Sequence, residues 1–170
     1  MQHYLFASEL MAADAPRIAP MGPGMVGPVL IAFGTPEQQQ RWLPALRAGT
    51  DYWCQGYSEP GAGSDLASLQ CRAVRDGDHY VLNGTKMFIS NANKVDLFTV
   101  FAYTDKSQGT SGGISAFLVP RGTPGMTVSP PVPTMGWVQD GVFEVVFDEC
   151  AVPATDLLGE EGKGFVYFYR

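Results

Sequence analysis

The run Gln55-Gly56-Tyr57-Ser58-Glu59-Pro60-Gly61-Ala62-Gly63-Ser64-Asp65 carries residue types at a spacing that could do chemistry. It starts as a strand-like segment, breaks at Pro60-Gly61, and offers two more small residues before the Ser64 hydroxyl. Glycines at this density let the backbone take positive φ and bring its N–H groups close to something bulky. Outward-facing donors followed by a hydroxyl suit an anion such as a diphosphate. The same letters also fit a plain Pro-Gly turn between two strands, with no ligand at all. No Gly-Lys-Ser/Thr follows, so this is not a Walker loop.

Other chemistries find little support. His3 and His79 stand alone without metal-ligand spacing, and no metal site is expected. Cys54, Cys71 and Cys150 are odd in number, far apart and without a CxxC pair, which reads as reduced structural thiols in a cytosol-like compartment. A formal net charge of −6 provides no Lys/Arg stripe for nucleic acid. No apolar run reaches the length needed to cross a bilayer. The N-terminus has Glu9 and Asp14 among its apolar residues and no basic flank, so no targeting segment is visible. With 170 residues, 45% of them hydrophobic and 16% charged, the chain can bury a core of one domain, or of one domain and a piece of another.

The elements that must position the glycine-rich run change character along the chain. Leu5, Phe6, Leu10 and Met11 recur at helical intervals over residues 1–13. Pro16, Pro20, Pro23 and Pro28 interrupt, and a short apolar run follows over 29–33. Thr35-Pro36-Glu37-Gln38 predicts a helix start, with Thr35 as N-cap, Pro36 first in the helix and Gln38 three residues after the cap. That helix is expected to carry Trp42, Leu43 and Leu46 on one face and to end near Gly49.

From Tyr52 the pattern is that of strands. They are expected over 69–75, 79–82, 86–90, 97–103, 114–120, 126–129 and 142–147, with turns at Asp76-Gly77 and Pro124-Gly125. Asn83-Gly84 reads as a turn or a bulge. Short strands at such spacings predict an α+β chain: short N-terminal helices followed by a small antiparallel β-barrel or sandwich. Residues 159–170 read as the start of a helix too apolar to stand alone, so more protein is expected beyond it.

Taken together, the sequence resembles the acyl-CoA dehydrogenases over essentially its whole length. The resemblance rests on four stretches in the family's order. They are Gly34-Thr35-Pro36-Glu37-Gln38 through Trp42-Leu43-Pro44; Ser58-Glu59-Pro60-Gly61-Ala62-Gly63-Ser64-Asp65; Asn83-Gly84-Thr85-Lys86-Met87-Phe88-Ile89-Ser90-Asn91; and Val152-Pro153 with Leu157-Leu158-Gly159-Glu160-Glu161-Gly162-Lys163-Gly164-Phe165. Phe88 stands where the family usually has Trp, and Ser58 and Ser90 where it often has Thr; a planar ring and a hydroxyl are kept. The stretch 135–144 departs further, with Val138, Gln139 and Asp140 where Arg and small hydroxyl residues are common.

The resemblance implies FAD as cofactor, held by Gln55, Tyr57, Ser58, Gly63, Ser64, Phe88, Ile89 and Ser90. Ser58 would lie near the flavin ring, Gly63 and Ser64 near the diphosphate, and Phe88-Ile89-Ser90 beside the isoalloxazine with the Ser90 hydroxyl near N5. Ser64 would also meet the acyl-CoA. It further implies three parts: the end of an N-terminal helical domain (1–50), a middle β-domain (51–156) and the start of a C-terminal helical domain (157–170). The family's catalytic glutamate lies on that last domain, so no catalytic residue is expected within this chain and it should be inactive alone. The activity implied is flavin-dependent α,β-dehydrogenation of an acyl-CoA thioester, with an electron-transfer flavoprotein or similar acceptor as partner. Oligomers of like or unlike chains are implied, in the cytoplasm or, in a eukaryote, the mitochondrial matrix. An acyl-CoA oxidase fragment and a non-catalytic flavin- or acyl-CoA-binding or subunit-pairing module remain open as alternatives.

Overall fold

Two periodicities divide the chain near Gly49, and the structure, a computed structural model, follows that division. It describes residues 1–16, 19–136 and 141–168. Helix α1 spans Gln2–Ala12, a short π-helical turn spans Met21–Val26, and α2 (Gly27–Phe33) and α3 (Pro36–Ala48) follow. The start of α3 has the reciprocal cap its sequence predicts. Thr35 Oγ1 accepts from the Gln38 amide at 3.2 Å, and Gln38 Oε1 accepts from the Thr35 amide at 3.1 Å. Gly49 ends the helix in the left-handed conformation at φ 70°. Gln38 also bolts α3 to the sheet domain, since its Nε2 donates to the Thr155 and Leu157 carbonyls at 2.8 Å each.

Strands β1 (Trp53–Gly56), β2 (Arg72–Asp76), β3 (His79–Ser90), β4 (Leu97–Tyr103), β5 (Ile114–Pro120), β6 (Met126–Val128), β7 (Val142–Pro153) and β8 (Leu157–Leu158) form one sheet. A one-turn α4 (Gly109–Gly112) precedes β5, and α5 (Gly164–Phe168) follows β8. The strand order is β6-β7-β3-β2-β4-β5-β8, with β1 beside β4. The sheet is mostly antiparallel, as expected, but it does not close: the path ends at β6 and β8. Two pairings, β1 with β4 and β2 with β4, are parallel.

β4 is buried at every position because each of its faces meets a different core. Phe98, Val100 and Ala102 join Phe117 and Val119 in one cluster, while Leu97, Phe101 and Tyr103 join Ile114 and Leu118 in a second that also takes in α2 and α3. A two-sided apolar strand of this kind reads as a continuous hydrophobic run. In the same way α5 is drawn onto the sheet through Phe165 and Phe168, which pack on the second cluster.

Three strands differ from expectation by more than one residue, each for a local reason. β2 starts at Arg72 rather than at residue 69, because the Gln70 and Cys71 amides are taken by the Glu59 carboxylate instead of a neighbouring strand. The strands expected over 79–82 and 86–90 are one strand, β3, with Asn83-Gly84 as an irregularity inside it. β7 runs on through Asp148-Glu149 by means of a bulge, where Glu149 has φ 48° and its amide donates to Asn83 Oδ1 at 3.0 Å.

Gly84 sits in β3 at φ 151°, and a Cβ there would fall 2.7 Å from Cys71 Cα. Gly84→Ala is therefore expected to lose about 3 kcal/mol of stability, from overpacking and an unfavourable φ together. Gly61, with nothing within 4 Å of an added Cβ, provides the control; Gly61→Ala should change stability by less than about 0.5 kcal/mol in the same denaturant titration.

Candidate functional site

Two segments far apart in the chain form the walls of a small cleft of about 140 Å³. Gln55, Tyr57 and Ser58 come from the end of β1 and the loop after it; Phe88, Ile89 and Ser90 come from the end of β3. Met21, from the π-helical turn, completes the lining. The cleft brings together six of the eight residues that the resemblance singles out. Gly63 and Ser64 lie outside it, exposed on the loop that continues from Ser58.

A bulge makes the β3 wall. Lys86 pairs with Val145 and Ile89 with Phe143, so β3 carries one residue more than β7 over that interval. Phe88 takes the extra position, with φ 60°. Strict alternation would send Lys86 and Phe88 to the same face. The left-handed residue breaks that parity: Lys86 is buried, Phe88 is 61% exposed, and Ile89 is buried again. A non-glycine residue held there costs on the order of 1 kcal/mol or more. Asn91, just beyond, is left-handed as well at φ 59°.

The opposite wall is fixed from beneath by Glu59, which in the sequence stands out only as a member of the glycine-rich run. Lys86, whose side chain has no exposure, places Nζ 2.8 Å from Glu59 Oε1 and donates to the Tyr57 carbonyl at 3.2 Å. Glu59 Oε2 accepts from the Gln70 amide at 2.6 Å, and Oε1 from the Cys71 amide at 3.0 Å. Backbone bonds close the arrangement, with the Met87 amide donating to Ser58 O at 2.9 Å and the Glu59 amide to Ala62 O at 2.8 Å.

What the loop presents outward has little inside the chain to satisfy it. Among the described residues no hydrogen bond involves the side chains of Ser58, Ser64 or Ser90. A Cβ added at Gly61 or Gly63 would meet nothing within 4 Å, so open space lies beside the backbone there. The sequence-based reason for these glycines needs correction. Gly56, Gly61 and Gly63 do not adopt positive φ. Gly56 instead sits in close packing, since a Cβ there would fall 3.1 Å from Val100 Cγ2.

Two of the implied residues are engaged elsewhere as well. The Tyr57 ring stacks on Phe101, with centroids 4.0 Å apart and 4° between planes, and meets Phe168 edge-on at 5.8 Å. Gln55 donates from Nε2 to Met25 Sδ. No carboxylate lines the cleft among the described residues. The three cysteines are free and buried. Burial pushes the Cys71 and Cys150 thiols up to about 11 and Cys54 higher still, so none is a thiolate at neutral pH. No cluster of three metal-binding side chains occurs among the described residues, and no described helix is long and apolar enough to cross a membrane.

The family model "acyl-CoA dehydrogenase, middle domain" matches residues 54–150, and "acyl-CoA dehydrogenase, N-terminal domain" matches residues 1–50. The chain belongs to the acyl-CoA dehydrogenase family. An acyl-CoA dehydrogenase of Mycobacterium tuberculosis is 44% identical over 161 residues, covering 94% of this chain and 41% of that protein. The solved acyl-CoA dehydrogenase of Geobacillus kaustophilus is 41% identical with TM-score 0.83, over 88% of this chain and 40% of that one. A solved steroid ACAD variant gives TM-score 0.88 at 36% identity, over 98% of this chain and 43% of its own. The chain thus spans about two fifths of the length of these relatives.

Within this acyl-CoA dehydrogenase segment, sequence reasoning missed Met21, Glu59 and Lys86. Met21 had no signal beyond an isolated apolar residue among prolines and glycines. A lysine inside an otherwise alternating strand was the available hint for the buried pair. Of the departing residues, Trp137, Val138, Gln139 and Asp140 lie outside the described residues.

Phe88 gives this site a clean test. Its ring is mostly exposed while its backbone is left-handed, so Phe88→Gly relieves strain and loses little burial. We expect fold stability to change by no more than about 1 kcal/mol in thermal or denaturant unfolding. A loss of several kcal/mol would mean that the ring belongs to the core.

Proposed function

We propose that the cleft seats the ring system of FAD and that the loop after Ser58 meets its diphosphate, in an enzyme that dehydrogenates an acyl-CoA thioester. The observation that carries this reading is the convergence of an exposed Phe88 ring with the uncommitted Ser58 and Ser90 hydroxyls on one small cleft. The residues fit the cofactor in kind. An aromatic side chain and Ile89 offer apolar contact to a flat ring, hydroxyls offer donors to its polar edge, and open space beside Gly61 and Gly63 lets a bulky anion approach the backbone.

When bound, the flavin supplies the hydride acceptor. The chain's own part is to bind and polarise. Ser90, at the end of β3, would hold a hydrogen bond at the ring edge near N5. Ser58 would do the same from the facing wall. Gly63 and Ser64 would hold the diphosphate, with Ser64 also reaching the acyl-CoA. Gln55 and Tyr57 would close the β1 side, where the stacking of Tyr57 on Phe101 keeps that wall rigid. Glu59, beside the cleft, is committed to Lys86 and cannot serve as a base, so the carboxylate that removes the α-proton would come from elsewhere in the whole protein. In this reading residues 1–50 end an N-terminal helical domain, 51–156 form the middle β-domain and 157–170 open a C-terminal helical one. An electron-transfer flavoprotein or a similar acceptor would take the electrons. The whole protein would be oligomeric and would work in the cytoplasm or, in a eukaryote, the mitochondrial matrix.

Ser64 and Ser90 separate binding from chemistry. A contact made equally in ground and transition states shows in KM, and one that strengthens in the transition state shows in kcat. In the complete enzyme Ser64→Ala is expected to weaken acyl-CoA binding by about 1 kcal/mol, or up to roughly 3 if its partner is charged. Ser90→Ala should mainly slow flavin reduction in stopped-flow bleaching. Unchanged reduction rates and unchanged ligand affinity in both variants would reduce the hydroxyls to local backbone partners and remove the support for this placement.

A further inference from the structure

Of the described lysines only Lys86 is buried, and it is used in an unusual place. Its ammonium lies under the cleft, two residues before the bulge that turns Phe88 outward. It bridges the Tyr57 carbonyl at 3.2 Å and Glu59 Oε1 at 2.8 Å. Glu59 in turn grips the Gln70 and Cys71 amides, and the Met87 amide donates to Ser58 O at 2.9 Å. Residues 57–59 of one wall are therefore fastened at successive positions to residues 86–87 of the other. An apolar pair of similar volume could fill the same space without the desolvation of two charges. What it could not do is specify which backbone carbonyl and which carboxylate face position 86. That specification matters here, because a slip of one residue in β3 would exchange the faces of Phe88 and Ile89.

We propose that the Lys86–Glu59 ion pair is the positioning device of the flavin cleft, setting the Tyr57–Ser58 wall against the Phe88–Ser90 wall and so fixing cofactor affinity and orientation without touching the cofactor. This inference rests on the flavin reading above. Both residues are positioning residues. Lys86 acts through the backbone of Tyr57 and Met87, and Glu59 through the turn it closes on Ala62 and the strand start it holds at Gln70 and Cys71.

The test uses the complete flavoprotein and compares Lys86→Met with the double variant Glu59→Gln/Lys86→Met, which removes both charges and keeps one side-chain acceptor for the two amides, Gln70 and Cys71, that Glu59 holds with separate oxygens. Three readouts are taken: thermal midpoint, FAD affinity of the apoprotein by fluorescence titration, and the visible circular dichroism of bound flavin. The double variant is expected to recover part of the thermal midpoint lost in the single one, because no buried charge is left unpaired although one of the two amides loses its acceptor. Its FAD affinity should stay weaker by about tenfold or more, the worth of one hydrogen bond to a charged group, with altered flavin dichroism. Affinity that returns together with stability would show a merely structural pair and overturn the proposal. So would wild-type affinity and dichroism in both variants. Should neither variant fold, amide hydrogen exchange of the flavin-free wild-type protein decides. Slow exchange at Gln70, Cys71 and Met87 is expected of a preset wall, and fast exchange at all three overturns it. A wild-type apoprotein that binds no FAD fails the flavin reading itself, before any variant is made.

Discussion

A lysine ammonium without any solvent exposure is tolerable only where its charge is balanced and its donors are used, because an unpaired buried charge costs several kcal/mol. Lys86 meets that condition through Glu59 and the Tyr57 carbonyl, and Glu59 meets it through Lys86 and two backbone amides. Neither residue can leave without stranding the other, at a cost of about 3–5 kcal/mol for a broken buried pair. The constraint reaches outward from there. It fixes where β2 begins, closes the turn from Glu59 to Ala62, and holds the loop of small residues in front of the end of β3.

Strain and packing complete the site around this anchor. The bulge that exposes Phe88 is unfavourable locally and persists because its flanks are over-determined: Lys86 is tied below it, and Ile89 and Ser90 are paired to Phe143 and Val142 beyond it. On the other wall Tyr57 joins Phe101 and Phe168 in a cluster of three rings that all contact one another. Phe101 belongs to β4, whose two faces serve both cores, so the cleft stands on the most buried part of the sheet. The proposed flavin seat on such a scaffold would need little rearrangement to receive its ligand.

Local features could be read from the sequence; long-range ones could not. The Thr35 cap, the Gly49 terminator and the limits of β4 and β5 were legible because each is written in adjacent residues: a hydroxyl three residues before Gln38, or an apolar run bounded by polar loops. The residues of the cleft were legible only through the family resemblance, since Ser58 and Ser90 taken alone are ordinary turn and strand residues. The Glu59–Lys86 pair joins positions 27 residues apart, and no local pattern announces it. The left-handed Phe88 was hidden for a related reason: a bulge is a mismatch between two strands, and one strand's letters do not contain it. The open edge of the sheet and the continuation of β7 past Asp148-Glu149 are likewise properties of pairing rather than of propensity.

The two walls fixed by Lys86 and Glu59 are proposed to enclose the flavin ring. The most direct measurement is a crystal structure of the complete protein with FAD bound. The isoalloxazine should lie against Phe88 and Ile89, with the Ser58 and Ser90 hydroxyls at its polar edge and the diphosphate over Gly63 and Ser64. The Lys86–Glu59 contact should be unchanged. A flavin seated away from this cleft, or a Phe88 turned inward with its left-handed backbone relaxed, would contradict it.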